Sequence, residues 1–372
     1  MTDVLIAGAG PVGLTCALAL ARRGVPVTVL ERGAALSQAS RASTFHPGTL
    51  DLLTPLGVTP ELIAAGRAVD RVQWRDLSGR VLAEMDFALL AGLTGHPFRL
   101  HAEQTVLTRL LARELSAVPH ARLIFDRPVR DVAAARAEFG ARYLVAADGA
   151  HSTVRAALGI GFPGADYPHY ALRVITRTPL DEVVPGLAAL AYVRDSRLSF
   201  SVLGLRDHWR LIFRIPAGTD PDQAIRPQAV RDLVRRALPG RDVGIEDAHT
   251  YRVARRVVDG YRHGDVFLAG DAAHLTSTAG GLNMNAGLHD AVTLAGVLAD
   301  LLGGAPDVRA DAWAASRRAA LVDTVLPLSE ARARGADGSG PETRAAVEEV
   351  IRTASDSGLS RAYLARSSLL TA

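Results

Sequence analysis

Lysine is absent from this chain, so every one of its 42 basic residues other than histidine is an arginine. Without lysine the protein has no Schiff-base lysine, no Walker-type phosphate loop and no other catalytic lysine. Cysteine is nearly absent as well, because Cys16 is the one thiol. A single cysteine forms neither an internal disulfide nor a cysteine-rich metal site, and we expect no bound metal.

The chain also lacks a strong excess of charge and a long apolar run. Its 42 basic and 39 acidic residues give a formal charge of +3, which argues against a dedicated nucleic-acid binder. The longest apolar helical stretches, 12–21 and 291–302, are shorter than the roughly 20 residues that span a bilayer. No secretion signal is recognisable at the start. We therefore predict a cytoplasmic protein with neither nucleic-acid nor membrane partners.

Apolar residues are plentiful, making up 48% of the 372 residues. At roughly 150 residues per domain, this length predicts two domains. Strand-like and helix-like patterns alternate over 4–31 and 102–146, whereas four strand-like runs separated by turn residues occupy 172–215. The apolar runs predict strands at 4–7, 143–146 and 266–268, and the pattern over 222–237 predicts one helix. This order predicts an α/β fold in which an antiparallel sheet is inserted between pieces of a nucleotide-binding domain.

A glycine-rich turn follows the first predicted strand and precedes a predicted helix. Its sequence is Gly8-Ala9-Gly10-Pro11-Val12-Gly13. The first glycine permits a tight turn, the second lets the backbone approach a pyrophosphate, and the third lets the helix pack on the strand. Glu31 ends the next strand, where its carboxylate can accept hydrogen bonds from a ribose diol. The unit predicts a dinucleotide site and leaves NAD and FAD both open.

Two further motifs each place an aspartate beside a glycine at the end of a predicted strand. The first is Asp148-Gly149-Ala150-His151-Ser152-Thr153-Val154-Arg155, and the second is Gly270-Asp271-Ala272-Ala273-His274. A carboxylate at the carboxyl end of a strand is well placed to receive the ribityl hydroxyls of a flavin. These motifs favour FAD over NAD.

With its three motifs the chain resembles the FAD-dependent aromatic hydroxylases, the para-hydroxybenzoate hydroxylase-like (group A) flavoprotein monooxygenases. The family's D-G-x-x-S-x-x-R and G-D-A-A-H patterns are both matched. The resemblance covers residues 1–330. It implies a Rossmann-like FAD-binding domain, an inserted antiparallel-sheet substrate domain and C-terminal helices.

We expect three parts in this arrangement. They are a discontinuous FAD-binding domain (1–70, 100–165 and 250–330), a substrate-binding β-sheet domain (71–99 and 166–249) and a C-terminal helical segment (331–372). The C-terminal region reads as helical, with breaks near 303–306 and 335–341.

The resemblance also assigns FAD contacts residue by residue. It gives the pyrophosphate to Gly8, Gly10 and Gly13, in a cofactor-binding motif that also includes Pro11 and Val12. It gives the adenosine ribose to Glu31, followed by the cofactor-binding Arg32, and the adenine to the Val129 backbone. It places Arg41 near the flavin and its phosphates, gives Gln104 a contact with the cofactor, and puts Asp148 with Gly149 near the riboflavin side and the proposed path of the pyridine nucleotide. It gives the ribityl chain to Asp271 with Gly270, and the pyrimidine edge to Gly280, Gly281, Met284 and Asn285. The N-terminus of the helix that begins at this edge would stabilise negative charge on reduced flavin.

The segment after the third motif departs from the family. Ser277 and Thr278 stand where the family usually has two prolines, and Asn283 replaces the glycine of a Gly-x-Asn pattern. Residues 131–142 are also shorter than the family's usual three-stranded meander. These departures affect the predicted oxygen-reacting face and leave the flavin prediction in place.

Each residue that could bind the substrate has two interpretations. His46 lies in a loop that either approaches the flavin or is structural. Tyr192, Arg194 and Arg210 lie on the inserted sheet, where they either bind a phenolate or carboxylate or form an outward-facing polar surface. His274 suits helix packing better than proton transfer, and no catalytic acid or base is assigned.

The function that the resemblance implies is monooxygenation. NADH or NADPH would reduce FAD, and O2 would give a C4a-hydroperoxyflavin that hydroxylates an aromatic or polyketide-type small molecule. Because no second glycine fingerprint is present, the nicotinamide nucleotide should bind transiently. An FAD-dependent reductase and a redox-silent flavin-bound ligand-binding protein remain alternatives, and we expect a monomer or homodimer.

Overall fold

Strands of the chain alternate with helices through most of its length. The computed structural model describes residues 2–39, 41–334 and 341–370. The strands are β1 (Val4–Ala7), β2 (Val27–Leu30), β3 (Thr44–Phe45), β4 (Arg67–Val69), β5 (Arg71–Arg75), β6 (Val81–Asp86), β7 (Arg99–His101), β8 (Ala121–Ile124), β9 (Tyr143–Ala146), β10 (Gly164–Thr176), β11 (Leu190–Val193), β12 (Phe200–Gly204), β13 (Trp209–Ile215), β14 (Asp247–Val257), β15 (Arg262–His263), β16 (Val266–Leu268) and β17 (His274–Leu275).

The helices cover the sheets and form the C-terminal region. They are α1 (Pro11–Ala21), α2 (Pro47–Leu53), α3 (Thr59–Ala65), α4 (Gln104–Ser116), α5 (Val132–Phe139), α6 (Thr153–Ala157), α7 (Leu180–Val183), α8 (Pro221–Ala224), α9 (Pro227–Ala237), α10 (Leu282–Leu302), α11 (Val308–Ala319), α12 (Leu326–Arg334), α13 (Pro341–Ala354) and α14 (Ser357–Ser367). A π-helical segment, Ala320–Val325, joins α11 to α12. Within the described residues, none of these helices has the length and apolar character needed to cross a bilayer.

The first sheet has the order β15-β16-β9-β1-β2-β8 and is parallel apart from β15. Every residue of β1, β2, β9 and β16 is buried. Strands of a parallel sheet are covered on both faces, which explains why these four read as apolar runs, with Thr28 of β2 as the one polar residue. Helices α1 and α10 pack against one another beside this sheet. The predicted Rossmann-like domain is confirmed.

The second sheet has the order β17-β14-β10-β13-β12-β11-β5-β6. Its pairs are antiparallel except for β11, which runs parallel to β5. The four strand-like runs predicted over 172–215 are β10 to β13. The inserted antiparallel sheet is therefore confirmed, and the hairpin β5–β6 from earlier in the chain extends it. A small third sheet, β3-β7-β4, lies between the two.

Two stretches differ from their expected form. A single helix predicted over 222–237 is divided into α8 and α9, because Pro227 has no N–H and disfavours helical geometry at the residue before it. Residues 132–139 form helix α5, whose first turn is capped by Asp131 through a 2.9 Å hydrogen bond from the Ala134 amide.

The C-terminal helices pack against the second sheet. The Tyr363 ring of α14 lies 6.0 Å from the Trp74 ring of β5. Just beyond α14, the carbonyl of Ser368 accepts a 3.2 Å hydrogen bond from the Gly48 amide. The break predicted near 303–306 is present between α10 and α11, and the one near 335–341 falls almost entirely outside the described residues.

Packing of α10 supplies the first test of the fold. Leu298 is fully buried in the core around the first sheet, whereas Leu359 of α14 is 55% exposed. We expect Leu298→Ala to lower the free energy of unfolding by about 2–5 kcal/mol, through lost apolar burial and the cavity left behind. The matched Leu359→Ala should change it by less than about 0.5 kcal/mol. Urea unfolding measures both, and equal effects would contradict the assigned core.

His101 supplies a second test, through pH. Its Nδ1 donates a 3.1 Å hydrogen bond to the Gly204 carbonyl, and burial lowers its pKa from 6.5 to about 3. The unfolded chain takes up a proton on this imidazole below pH 6.5, and the folded chain does not. Stability must therefore fall as the pH is lowered, by about 1.4 kcal/mol for this group between about pH 7.5 and about pH 5.5.

His101→Asn keeps a side-chain donor and removes the titrating group. We expect this variant to lose less stability between the same two pH values, by about 1.4 kcal/mol, in urea unfolding. His263→Asn, at an exposed position, serves as the control and should keep the wild-type pH dependence. An unchanged pH dependence in His101→Asn would show that folding does not lower the pKa of this imidazole.

Candidate functional site

The glycine turn after β1 brings two backbone segments into direct contact. Gly8 has φ +102°, and a Cβ there would lie 2.5 Å from the Ala147 carbonyl oxygen. A Cβ on Gly13 would lie 2.0 Å from the Gly8 carbonyl oxygen. By contrast, the space beside Gly10 is open, and Gly10 leaves the N-terminus of α1 without a side-chain cap. An uncapped helix N-terminus that opens onto free space is suited to a pyrophosphate.

One cavity adjoins this turn at the carboxyl ends of β1, β2 and β9. Its lining residues are Ala7, Gly8, Leu30, Glu31, Arg32, Pro128, Val129, Asp148 and Thr153. Glu31 accepts hydrogen bonds from the amides of Ala9, at 2.8 Å, and Gly33, at 2.9 Å. A carboxylate has about four acceptor positions, so two remain for a ribose diol. The structure thus brings together five residues that the sequence assigned to the cofactor, namely Gly8, Glu31, Arg32, Val129 and Asp148.

Asp148 lies in this cavity, at the Glu31 end of the site. The sequence predicts that it lies near the riboflavin side, and that role stays a prediction; in the structure β9 pairs directly with β1 and ends beside Gly8. Its Oδ2 accepts hydrogen bonds from the Thr153 and Val154 amides at 2.7 and 3.1 Å. Its Oδ1 is buried with no hydrogen-bond partner among the described residues. Such an orphaned acceptor fits a hydroxyl donor from a bound ligand.

Asp271 stands at the end of β16, on the other side of the glycine turn. Burial raises the pKa of its carboxyl group, while the charges of His274 and Arg41 oppose that rise. Asn283 donates from Nδ2 to Asp271 Oδ1 at 2.8 Å. Asn283 also accepts a 3.1 Å hydrogen bond from the Thr276 amide. The residue that departs from the family therefore holds the carboxylate in position.

A buried ion network continues from Asn283. His274 contacts Asn283 Oδ1 through Nδ1 at 3.1 Å and Asp290 Oδ2 through Nε2 at 3.0 Å. Arg317 donates to Asp290 Oδ1 at 2.9 Å. Burial alone would raise the pKa of Asp290, but the hydrogen bond from His274 and the Arg317 charge bring it below its ordinary value. His274 thus links elements together, and sequence reasoning missed the parts of Asp290 and Arg317, which stand outside the motifs.

The turn before α10 is the last part of the site. Gly280 and Gly281 have φ of +86° and +66°, and α10 begins after them without a side-chain cap. Asn285 donates to the Thr44 carbonyl at 2.9 Å and to the Gly281 carbonyl at 2.7 Å. Met284, on the same turn of helix, is buried. The N–H groups at this end of α10 are therefore available to an acceptor.

His46 is fully buried beneath the same turn. Its Nε2 lies 3.0 Å from the Gly280 carbonyl oxygen and 3.2 Å from that of Gly281, so Nε2 is the donor. Burial lowers its pKa well below 6.5, and the charges of Arg99 and Arg332 lower it further. A neutral, buried histidine that supports the turn fits the structural interpretation of this residue.

Gln104 and Arg210 both support the backbone around Arg41. Gln104 exchanges hydrogen bonds with Ala42, through its own amide at 3.0 Å and its Oε1 at 3.4 Å. Arg210 donates to the Arg41 carbonyl at 2.9 Å and forms an ion pair with Glu103. The Arg210 side chain is only 2% exposed. Its charge is therefore balanced within the protein. The other two residues that the sequence predicted to bind substrate, Tyr192 and Arg194, are described below.

Comparison with known proteins agrees with this site. A family model described as FAD binding domain matches residues 1–326. The 6-hydroxy-3-succinoylpyridine 3-monooxygenase of Pseudomonas putida is 31% identical over 87% of this chain and 86% of its own length. The 6-methylpretetramide 4-monooxygenase of Streptomyces rimosus is 33% identical, over 85% of this chain and 59% of its own length.

The agreement extends to a solved structure. The crystal structure of p-nitrophenol 4-monooxygenase from Pseudomonas putida superposes with a TM-score of 0.88 at 26% identity, covering 98% of this chain and 96% of that one. These relatives are monooxygenases, which favours the oxygenase interpretation over the reductase and redox-silent alternatives.

Asp271 supplies the test of the site. We expect Asp271→Ala to raise the dissociation constant for FAD by about 10- to 100-fold, because the variant loses charged acceptors for ligand hydroxyls. Asp265→Ala is the control, since Asp265 precedes the same strand and pairs with Arg136 at the surface. Flavin fluorescence titration measures both. Wild-type affinity in Asp271→Ala would show that this carboxylate does not bind the cofactor.

Proposed function

The chain belongs to the FAD binding domain family and is an FAD-dependent aromatic monooxygenase, and from this premise we propose that it hydroxylates a single hydroxylated aromatic ring of the phenol or hydroxypyridine type. The observation that carries the proposal is the end-to-end match, 98% and 96% of the two chains, with a monooxygenase that acts on p-nitrophenol. The 6-methylpretetramide 4-monooxygenase is longer, and this chain spans only 59% of its length.

The residues present fit FAD along its whole length. Gly8, Gly10 and Gly13 with the N-terminus of α1 would hold the pyrophosphate, and Glu31 the adenosine ribose. The orphaned Oδ1 of Asp148 has room for a donor beside them. Asp271 would accept hydrogen bonds from the ribityl chain, with Asn283 keeping its carboxylate in place.

When bound, FAD would supply the redox chemistry, which is hydride acceptance from NADH or NADPH and electron transfer to O2. The residues of the protein would bind and orient FAD and the substrate and shield the reacting atoms from water. The N-terminus of α10 would stabilise negative charge on the pyrimidine edge of the ring. His46 keeps the Gly280–Gly281 turn in shape and stays neutral. The second sheet and α14 would exclude water from the reacting atoms.

Other predictions from the sequence extend this proposal. We keep the division into a discontinuous FAD-binding domain, a β-sheet substrate domain and a C-terminal helical segment. A cytoplasmic location, a monomeric or homodimeric state and transient binding of the nicotinamide nucleotide also stay predictions.

Anaerobic stopped-flow reduction tests the proposal. The FAD-loaded protein is mixed with NADH or NADPH, alone and with 4-nitrophenol, 6-hydroxynicotinate or a tetracyclic polyketide. We expect a single-ring compound to accelerate flavin bleaching and, in air, to be converted to a hydroxylated product. Acceleration by the polyketide alone would contradict the proposed substrate class. Reduction with every ligand but no product in air would contradict the oxygenase function.

A further inference from the structure

A largely buried group of cationic and phenolic side chains lies between the second sheet and the Gly280–Gly281 turn. It consists of Arg99 on β7, Tyr192 on β11, Arg194 directly after that strand, Arg332 on α12 and Tyr363 on α14, which we call the Arg99 cluster. Arg99 is 2% exposed and Tyr192 is 7% exposed. The Arg194 guanidinium lies 5.2 Å from the centre of the Tyr192 ring.

The cluster contains three guanidinium groups and no carboxylate. In the part of the chain that the structure describes, no Asp or Glu forms an ion pair with Arg99, Arg194 or Arg332. Arg99 is hydrogen-bonded to the Tyr192 phenol and Arg332 to the Tyr363 phenol, and the remaining titratable neighbours are tyrosines and other arginines. Arg99 Nε and Arg332 Nη1 are buried without a hydrogen-bond partner. Buried cations without a counter-charge are costly, so this arrangement is stabilised when an anion joins it.

The positive charge of the cluster lowers the pKa values of neighbouring groups. Burial would raise the pKa of the Tyr192 phenol, but the charges of Arg332, Arg99 and Arg194 bring it below its ordinary value of 10. Arg99 and Arg332 also depress the pKa of His46. Two groups on different elements thus experience the same excess of positive charge.

The cluster adjoins the flavin end of the site. The Arg332 guanidinium packs so closely on Gly280 that a Cβ there would lie 2.0 Å from Arg332 Nη1. Gly280 belongs to the turn whose following helix would face the pyrimidine edge. A ligand held by these guanidiniums would therefore lie beside the flavin ring. The Arg99 cluster is separate from the proposed pyrophosphate site, which lies at the N-terminus of α1.

Aromatic rings pack against the same cluster. The Arg99 guanidinium lies 5.4 Å from the centre of the Phe87 ring. The Trp74 ring lies 5.6 Å from that of Tyr192 and 6.0 Å from that of Tyr363. Aromatic walls favour a flat ring, and guanidinium groups favour an oxyanion. Together they describe a flat molecule with one charged end.

We propose that the Arg99 cluster is an oxyanion-binding subsite, and that the aromatic substrate carries a carboxylate or a phenolate that Arg99 and Arg332 bind. This inference rests on the proposed function and adds the charge of the substrate to it. Arg99 donates from its orphaned Nε, while Arg332 donates from its orphaned Nη1 beside the flavin turn. Neutral rings of the same shape leave both donors unpaired and bind more weakly.

Two matched pairs of probes test the subsite. The FAD-loaded protein is titrated with benzoate and benzamide, and at alkaline pH with 4-nitrophenolate and 4-nitroanisole, and the flavin absorption spectrum reports binding. We expect at least one anion to bind about tenfold or more tightly than its neutral partner, as for a hydrogen bond to a charged group. Preference within the benzoate pair indicates carboxylate recognition, and preference within the nitrophenolate pair indicates phenolate recognition.

Substitutions of cluster arginines test whether the preference for the anion over its neutral partner depends on the cluster. Arg99→Met and, independently, Arg332→Met should reduce it to less than about threefold, and Arg99→Lys should restore part of it because the charge remains. Arg80→Met is the control, since Arg80 is exposed on the β5–β6 hairpin, with its side chain 74% accessible. Each variant is compared at equal flavin content.

Three results would overturn the inference. They are equal binding of anion and neutral partner in both pairs, full preference retained in both methionine variants, and no spectral change with either anion. None of these touches FAD binding or NAD(P)H-dependent reduction, which the stopped-flow experiment measures separately. Failure of the subsite is therefore distinguishable from failure of the proposed function.

Discussion

Close packing of α1 on α10 is the contact on which the whole site depends. Val12 fills the space between two glycines: a Cβ on Gly270 would lie 2.7 Å from Val12 Cγ2, and one on Gly287 would lie 2.8 Å from the same atom. Any larger side chain at either glycine would separate the two helices or displace the end of β16. Because that packing is so tight, the turn after β1, the aspartate after β16 and the N-terminus of α10 share one surface.

A buried polar network then orients what the packing brings together. Asp290 receives a hydrogen bond from the Gly270 amide at 3.2 Å and holds both His274 and Arg317. Through His274 and Asn283 the same network reaches Asp271. Every charged member has a partner, which is the condition for a buried network to stabilise and to specify one arrangement. The Arg99 cluster is the opposite case, since among the described residues no carboxylate forms an ion pair with its three arginines.

The departures from the family have a physical role on this background. An asparagine replaces a flexible glycine at position 283, and its amide bridges Asp271 and the Thr276 backbone. Ser277, where the family usually has proline, exchanges hydrogen bonds with Ser329 at 3.4 and 3.1 Å. Side-chain hydrogen bonds therefore shape a segment that prolines would otherwise stiffen. Compatibility with flavin binding is retained by different means.

Much of the fold was predictable from local sequence. Strands β1, β9 and β16 have the bounds expected from their apolar runs, because a strand buried on both faces needs unbroken apolar residues. The inserted sheet was likewise evident from its alternating pattern and turn residues. The division between α8 and α9 was missed, although Pro227 marked it.

The sequence by itself determined the nucleotide turn, the acidic residues that flank it and the order of the elements. These depend on short-range steric limits, such as the positive φ of Gly8, that local residues reveal. Only the tertiary structure decided that Asp148 lies beside Glu31, that His46 is buried beneath a turn, and that Arg99 meets Arg332. Those contacts join residues far apart in the chain, and their charges and burial follow from packing, which has no local signature in sequence.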